Sequence, residues 1–254
     1  MGLAVLQGRT RCSARSGLRT TASSRCGRAS CCNVSCHCLR PRSSTSAAAT
    51  GVRVAWLAGR GYRVQLVDIV PEHVRAATAD GLPAEVGDAR RLTRVDASVD
   101  AVLLRGPLYH LVGRIERLSA FAEARRVLRP AGALLAAASD GSWRPLTGAQ
   151  SAGLIAEVAA ELLPVLSTGV HDPTLGFTDA FFHTAAQLQQ EVAEAGSADV
   201  RVLGIEGPAG TIVNGPVTTP THGSRAPLGC ARLTENFAEI ADASAHLMAL
   251  ATTS

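Results

Sequence analysis

The chain has 254 residues, 46% hydrophobic and 18% charged, which is enough to build one substantial core. Aromatic residues supply only 4%, so that core must rest on Ala, Val and Leu. All 25 basic residues are arginine, which excludes chemistry that needs an amine: the phosphate-loop lysine, a lysine Schiff base, and the Tyr/Lys pair of short-chain dehydrogenases.

The formal net charge of +4 hides an asymmetry. Residues 1–50 hold eight arginines and no acid, which leaves 17 Arg against 21 acids in the remainder, a net of −4. That body carries no basic stripe interleaved with aromatics, so no nucleic-acid partner is expected. No run approaches the roughly 18 apolar residues of a membrane span, so no membrane partner is expected either. Six of the seven cysteines fall in the leader, densest from Cys31 to Cys38. A zinc module would need a second ligand pair roughly 12–20 residues further on; none is there, and no metal site is expected. The run Met1 to Gln7 is too short for the apolar core of a secretory signal. Residues 1–46 read as a disordered Arg/Cys/Ser-rich leader, and 47–254 as the folded domain of a cytoplasmic protein. An acid-poor, Arg/Ser-rich leader also has the composition of an organellar transit segment.

No convincing strand precedes the first predicted helix, Val52 to Ala58, which Gly59-Arg60-Gly61 ends. Tyr62 to Asp68 is a strand that turns continuously apolar and stops on an acid. Pro71 to Ala79 is a helix with proline in its first turn. Ala84 to Asp88 and Val99 to Leu104 are strands, the second apolar enough to lie mid-sheet. Arg114 to Leu128 has a helical period that Pro130 and Gly132 stop, and Ala133 to Ala138 is a fifth strand. An insert, 139–183, contains a predicted helix from Ala152 to Leu163. Ala185 to Ala195 is an amphipathic helix capped by Gly196, followed by strands at Val200–Ile205 and Ser244–Ala251. Strand and helix alternating at this spacing predict a doubly wound, mostly parallel α/β sheet. Gly207 to Thr234 has no acid in 28 residues and reads as an irregular loop. It shares with the leader the residue usage of GC-rich codons translated out of frame.

Four passages carry a resemblance. They are Gln65-Leu-Val-Asp68-Ile69, then Val86-Gly-Asp88-Ala89, then Val102-Leu-Leu-Arg105-Gly-Pro-Leu108-Tyr109-His110, with Arg126-Val-Leu-Arg-Pro-Ala-Gly132 following. In this order and spacing the chain resembles the class I, Rossmann-like, S-adenosylmethionine-dependent methyltransferases over roughly residues 47–206, with Ser244–Leu250 resembling that fold's antiparallel last strand. The resemblance implies S-adenosylmethionine as cofactor and a small-molecule methyl acceptor as partner. It implies that Asp68 takes the ribose hydroxyls, that Ile69 packs on the adenine, and that Asp88 with the Ala89 N–H meets the adenine edge. Arg105 and Leu108 would lie beside the ligand where strand order reverses. Tyr109 and His110 would face the methyl group, with His110 the first candidate base. Asp100 reads as structural. His171, Phe177, Phe181, Phe182 and His183 would belong to a cover over the substrate.

One departure matters. The family's glycine-rich turn corresponds to Ser44–Gly51, in which only Gly51 matches well and Ala47, Ala48 and Ala49 stand at the flexible positions. Thr50 and Gly51 remain as candidate contacts to the methionine part of the ligand. The expected activity is in-line methyl transfer; the alternative is an impaired, methyltransferase-like binding or regulatory protein.

Overall fold

A computed structural model describes residues 2–6, 45–47, 52–139, 163–175, 178–207, 226–235 and 237–253. The strands are β1 (Gly2–Leu6), β2 (Thr45–Ala47), β3 (Val64–Asp68), β4 (Ala84–Val86), β5 (Val99–Arg105), β6 (Leu128–Ser139), β7 (Val170–His171), β8 (Ala180–Phe181), β9 (Ala198–Gly204) and β10 (His246–Thr252). The helices are α1 (Val52–Ala58), α2 (Pro71–Ala79), α3 (Pro107–His110), α4 (Arg114–Val127), α5 (Ala185–Glu194), α6 (Ala226–Thr234) and α7 (Ala238–Ala241).

The large sheet runs β4-β3-β1-β5-β6-β10-β9, with β2 paired to β1; β7 and β8 form a separate two-stranded sheet. β3 pairs parallel with β4, and β5 with β6, while β10 is antiparallel to both β6 and β9. This is the doubly wound sheet with an antiparallel last strand that the strand-helix alternation predicts. Its faces are covered separately, as period-2 side chains require. Val102 and Leu104 of β5 and Leu134 of β6 join Phe121 of α4 and Leu188 and Val192 of α5 in one core. Ala101, Leu103 and Leu135 point the other way, onto Val54 and Leu57 of α1 and Ala77 of α2.

The expectation that no strand precedes α1 is overturned. Gly2–Leu6 lies mid-sheet, antiparallel to β3 from Gly2 opposite Asp68 to Leu6 opposite Val64, and meets β5 at Arg105. An unpaired β3 edge would leave a row of buried amides and carbonyls without partners, and five apolar residues suffice to satisfy them. β2 is antiparallel to β1 and therefore runs in the direction of β3, leading toward α1. β2 comprises Thr45–Ala47. Residues 7–44 lie outside the described residues.

Two further differences have local causes. β6 begins at Leu128 rather than Ala133, because Leu128 pairs with Val99 before the register shifts and Ala133 meets Ala101. The end of the predicted 207–234 loop is helical, Ala226–Thr234. The predicted helix at Ala152–Leu163 falls almost wholly outside the described residues. Among the described residues no helix is long and apolar enough to cross a membrane.

Leu104 is fully buried between β5's neighbours and α4, whereas Ile115 on the outer face of α4 is 81% exposed. In urea denaturation, Leu104→Ala is expected to lower stability by about 2–5 kcal/mol. Ile115→Ala is expected to stay within about 0.5 kcal/mol of the parent.

Candidate active site

The two acids singled out in the sequence stand at the ends of neighbouring strands. Asp68 ends β3, and its carbonyl accepts the N–H of Gly87 at 3.0 Å, so the turn after β4 is stitched to the tip of β3. A Cβ on Gly87 would meet Val67 Cγ1 at 2.7 Å, which fixes glycine at that close approach. The Asp68 carboxylate is completely buried. Its Oδ1 accepts the Val70 N–H at 2.9 Å, and its Oδ2 lies 3.1 Å from Nδ1 of His73, one turn into α2. Ile69, the next residue, is 51% exposed and offers an apolar face at the same edge.

Asp88 holds a partner the sequence reading missed. Its Oδ1 accepts the Arg90 main-chain N–H at 2.8 Å, and its Oδ2 accepts Arg90 Nη2 at 2.6 Å. These bonds to Arg90 hold the Asp88 carboxyl below its ordinary range. Arg90 also reaches Glu116 on α4. A carboxylate oxygen has lone pairs for more than one donor, so an incoming amino group would share Asp88 with Arg90 rather than find it open. Ala89 is buried beside it. Arg105 ends β5 half-buried, and Gly106 turns the chain into α3 at φ 105°, a conformation that favours glycine. Leu108 is buried in the core with Leu104 and Phe121. Thr50, Gly51 and Phe177 lie outside the described residues. Asp100 holds Arg129 at 2.6 Å, a structural pair.

Tyr109 and His110 sit together on α3, their ring centroids 3.8 Å apart. Tyr109 packs against Val165, Ala180 and Phe182, and burial pushes its hydroxyl pKa up. Burial, the leading cause, pushes His110 down to about 4. His110 is therefore a neutral imidazole near pH 7, and a group with so low a pKa retains a proton poorly, which suits orientation better than proton uptake.

Beside this corner lies a buried triad. Arg117 of α4 clamps Glu191 of α5 through Nη2–Oε1 at 2.7 Å and Nε–Oε2 at 2.9 Å. Glu191 Oε2 also lies 3.1 Å from His183 Nε2. Arg117 further donates to the carbonyls of Leu111 and Val112, immediately after His110, at 3.0 and 2.6 Å. Its guanidinium lies 3.5 Å over the ring of Phe181, which in turn meets His183 edge-on at 4.8 Å. Burial alone would raise Glu191, but hydrogen bonds from His183 and Arg117 outweigh it and bring the carboxyl to about 2. Burial lowers His183 against the pull of Glu191. Sequence reasoning placed His183 in the cover but missed both partners. The signal was present: Arg117 shares a helix face with Ala120, Phe121 and Ala124, and Glu191 one with Leu188 and Val192. Two opposite charges on inner helix faces must meet or remain unionised. Phe181, Arg117 and Glu191 line a 390 Å³ cleft with Arg114, Thr168 and Gln187. His171, also from the insert, is buried with its ring edge-on to Phe182 at 5.9 Å. Among the described residues no three His, Cys, Asp or Glu side chains are grouped to hold a metal ion.

The lowered pKa values set a direction for acid stability. The unfolded chain protonates His110 at its ordinary 6.5 while the folded chain resists to about 4, so stability falls as pH drops through that window. Glu191 adds a second loss between 4.5 and about 2. The urea midpoint is expected to decrease steadily from neutral pH to pH 3; a midpoint that rises on acidification contradicts these environments. Arg117→Met, which leaves Glu191 buried without its guanidinium, is expected to destabilise by about 3–5 kcal/mol in the same assay.

Residues 46–136 match the model of a family described as a methyltransferase domain. None of the curated proteins matches the chain. Among solved structures, the chain is similar to an S-adenosylmethionine-dependent methyltransferase from Methanosarcina mazei, at 16% identity and a TM-score of 0.57, covering 87% of this chain and 96% of that one. It is also similar to a Pyrococcus horikoshii protein, at 15% identity and a TM-score of 0.53, covering 87% of each chain. At these identities the likeness is one of fold. The matched segment spans β2 to β6, the strands whose carboxyl ends carry Asp68, Asp88 and the Tyr109–His110 corner. Residues 46–136 thus match a methyltransferase domain, and the sheet that contains them has the fold of a solved S-adenosylmethionine-dependent methyltransferase.

Proposed function

We propose that the protein transfers a methyl group from S-adenosylmethionine to an uncharged small molecule, by in-line displacement at the carboxyl edge of the sheet. The observation that carries this is the pairing of two acids on neighbouring tips of one edge, joined through Gly87 and followed by the Tyr109–His110 corner. Such an edge is where open α/β sheets take their ligands.

The residues present fit the nucleoside in kind. Asp68 and Asp88 are hydrogen-bond acceptors, the complement of ribose hydroxyls and an adenine amino group, and exposed Ile69 suits an aromatic face. When bound, S-adenosylmethionine supplies a methyl group on a sulfonium whose departure needs no acid. The protein's part is then alignment and the removal of water. His73 holds Asp68 in one rotamer, and Arg90 does the same for Asp88, so both acceptors are oriented before a ligand arrives. Tyr109 and neutral His110 line the acceptor side, and the Phe181–Phe182 segment closes it against solvent.

The three alanines in place of turn glycines favour the second reading, a binding or regulatory protein of impaired activity. Calorimetry with S-adenosylhomocysteine separates the readings in part. The expected dissociation constant is weaker than low micromolar, and Asp68→Ala is expected to weaken it by a further tenfold or more, about 1.4 kcal/mol. Affinity that is unchanged in Asp68→Ala contradicts the nucleoside site. With binding in hand, turnover over a panel of small alcohols, phenols and amines is expected to fall in His110→Ala. Binding with no turnover anywhere on the panel supports the regulatory reading.

A further inference from the structure

The triad behind the acceptor corner leaves one polar atom unused. His183 is 1% exposed, and its Nδ1 is buried with no hydrogen-bond partner. Which proton this imidazole carries follows from its neighbour. Glu191 is ionised and clamped on both oxygens by Arg117, and a carboxylate can only accept, so the proton lies on His183 Nε2, pointed at Oε2. A neutral imidazole with Nε2–H presents a bare lone pair at Nδ1. An acceptor withdrawn from water and left without a donor is disfavoured, and native proteins rarely keep one without use.

Its position gives that use. The His183 main-chain N–H donates to the carbonyl of Ser139 at 3.2 Å, which pins the residue to the carboxyl end of β6, next along the edge from the end of β5. Arg117, which holds the triad, also holds the carbonyls of Leu111 and Val112 directly after Tyr109–His110. The ring of Phe181 meets His183 edge-on at 4.8 Å, and the next residue, Phe182, packs in the cluster that also holds Tyr109.

We propose that His183 selects the methyl acceptor: its Nδ1 receives a hydrogen bond from a neutral hydroxyl or N–H on the acceptor molecule, with Glu191 and Arg117 fixing the tautomer that makes this possible. The inference rests on the methyl-transfer reading above and narrows it. An ionised carboxylate or phosphate has no proton to give a bare lone pair and meets it lone pair to lone pair, so anionic acceptors are disfavoured. A fully substituted ether or thioether, with no proton to donate, leaves Nδ1 unsatisfied and is disfavoured. Discrimination of this kind is large, because a buried acceptor left unpaired discriminates far better than a missing methylene.

The test uses phenol as a neutral donor and anisole as the same ring without one. In the full chain labelled with ¹⁵N-histidine, the His183 signals are assigned with His183→Gln, or by backbone correlation if that variant does not fold. At neutral pH the free protein is expected to show the Nε2–H tautomer. Phenol is expected to shift Nδ1 upfield in a saturable way, and anisole to leave it in place. An imidazolium, an Nδ1–H tautomer, or equal responses to phenol and anisole would overturn the proposal, as would no response to phenol. S-adenosylhomocysteine binding is measured on the same sample. Binding without a phenol response defeats the selection by His183 alone, whereas absent binding defeats the methyl-transfer reading whatever phenol does.

Discussion

The parallel pairing of β3 with β4 decides where Asp68 and Asp88, the acids of the proposed site, are placed. Leu66 stands opposite Ala84 and Asp68 opposite Val86, so the last residue of β3 and the turn beyond β4 emerge at one edge. Gly87 then binds the Asp68 carbonyl, and the following residue, Asp88, is delivered beside its counterpart. A register slip of one residue would send Asp68 to the opposite side of the sheet and separate the acids. The apolar alternation of β3 resists that slip, because Leu66 and Val67 are both buried, each against a different layer.

The edge is stiffened by charge as well as by packing. Arg90 joins Asp88 to Glu116, Arg126 joins Glu123 to Asp96, and Arg117 joins Glu191 to the loop after His110. Without lysine, each of these contacts uses a planar guanidinium that bridges two groups at once. Loops that carry function are thus tied to α4, a helix whose other face lies in the core. The arrangement is consistent with a site that aligns reactants and contributes little acid–base chemistry of its own.

Much of the fold was legible because the strands are apolar runs between clear breaks. Val52–Ala58 and Pro71–Ala79 match their sequence boundaries, and β10 is the antiparallel last strand that the resemblance implies. Gly2–Leu6 was not legible, since five apolar residues ahead of a long polar stretch give no local sign of which strand they will pair with; β3 supplies that partner from far along the chain. That Asp68 and Asp88 fall at the ends of two strands was legible from the apolar runs before them. Their partners were not: His73 lies five residues from Asp68, and Arg90 two from Asp88, but only the folded turns decide that they meet. That Leu108 packs into the core was not legible either, because a residue after a strand can face either way until the turn at Gly106 is folded.

The account turns on the two acids receiving one nucleoside together, and amide hydrogen exchange measures that directly. On adding saturating S-adenosylhomocysteine, exchange is expected to slow in two peptides at once, one covering Asp68–Val70 and one covering Gly87–Arg91. Slowing in only one of them, or at the opposite edge of the sheet, would contradict a shared cleft.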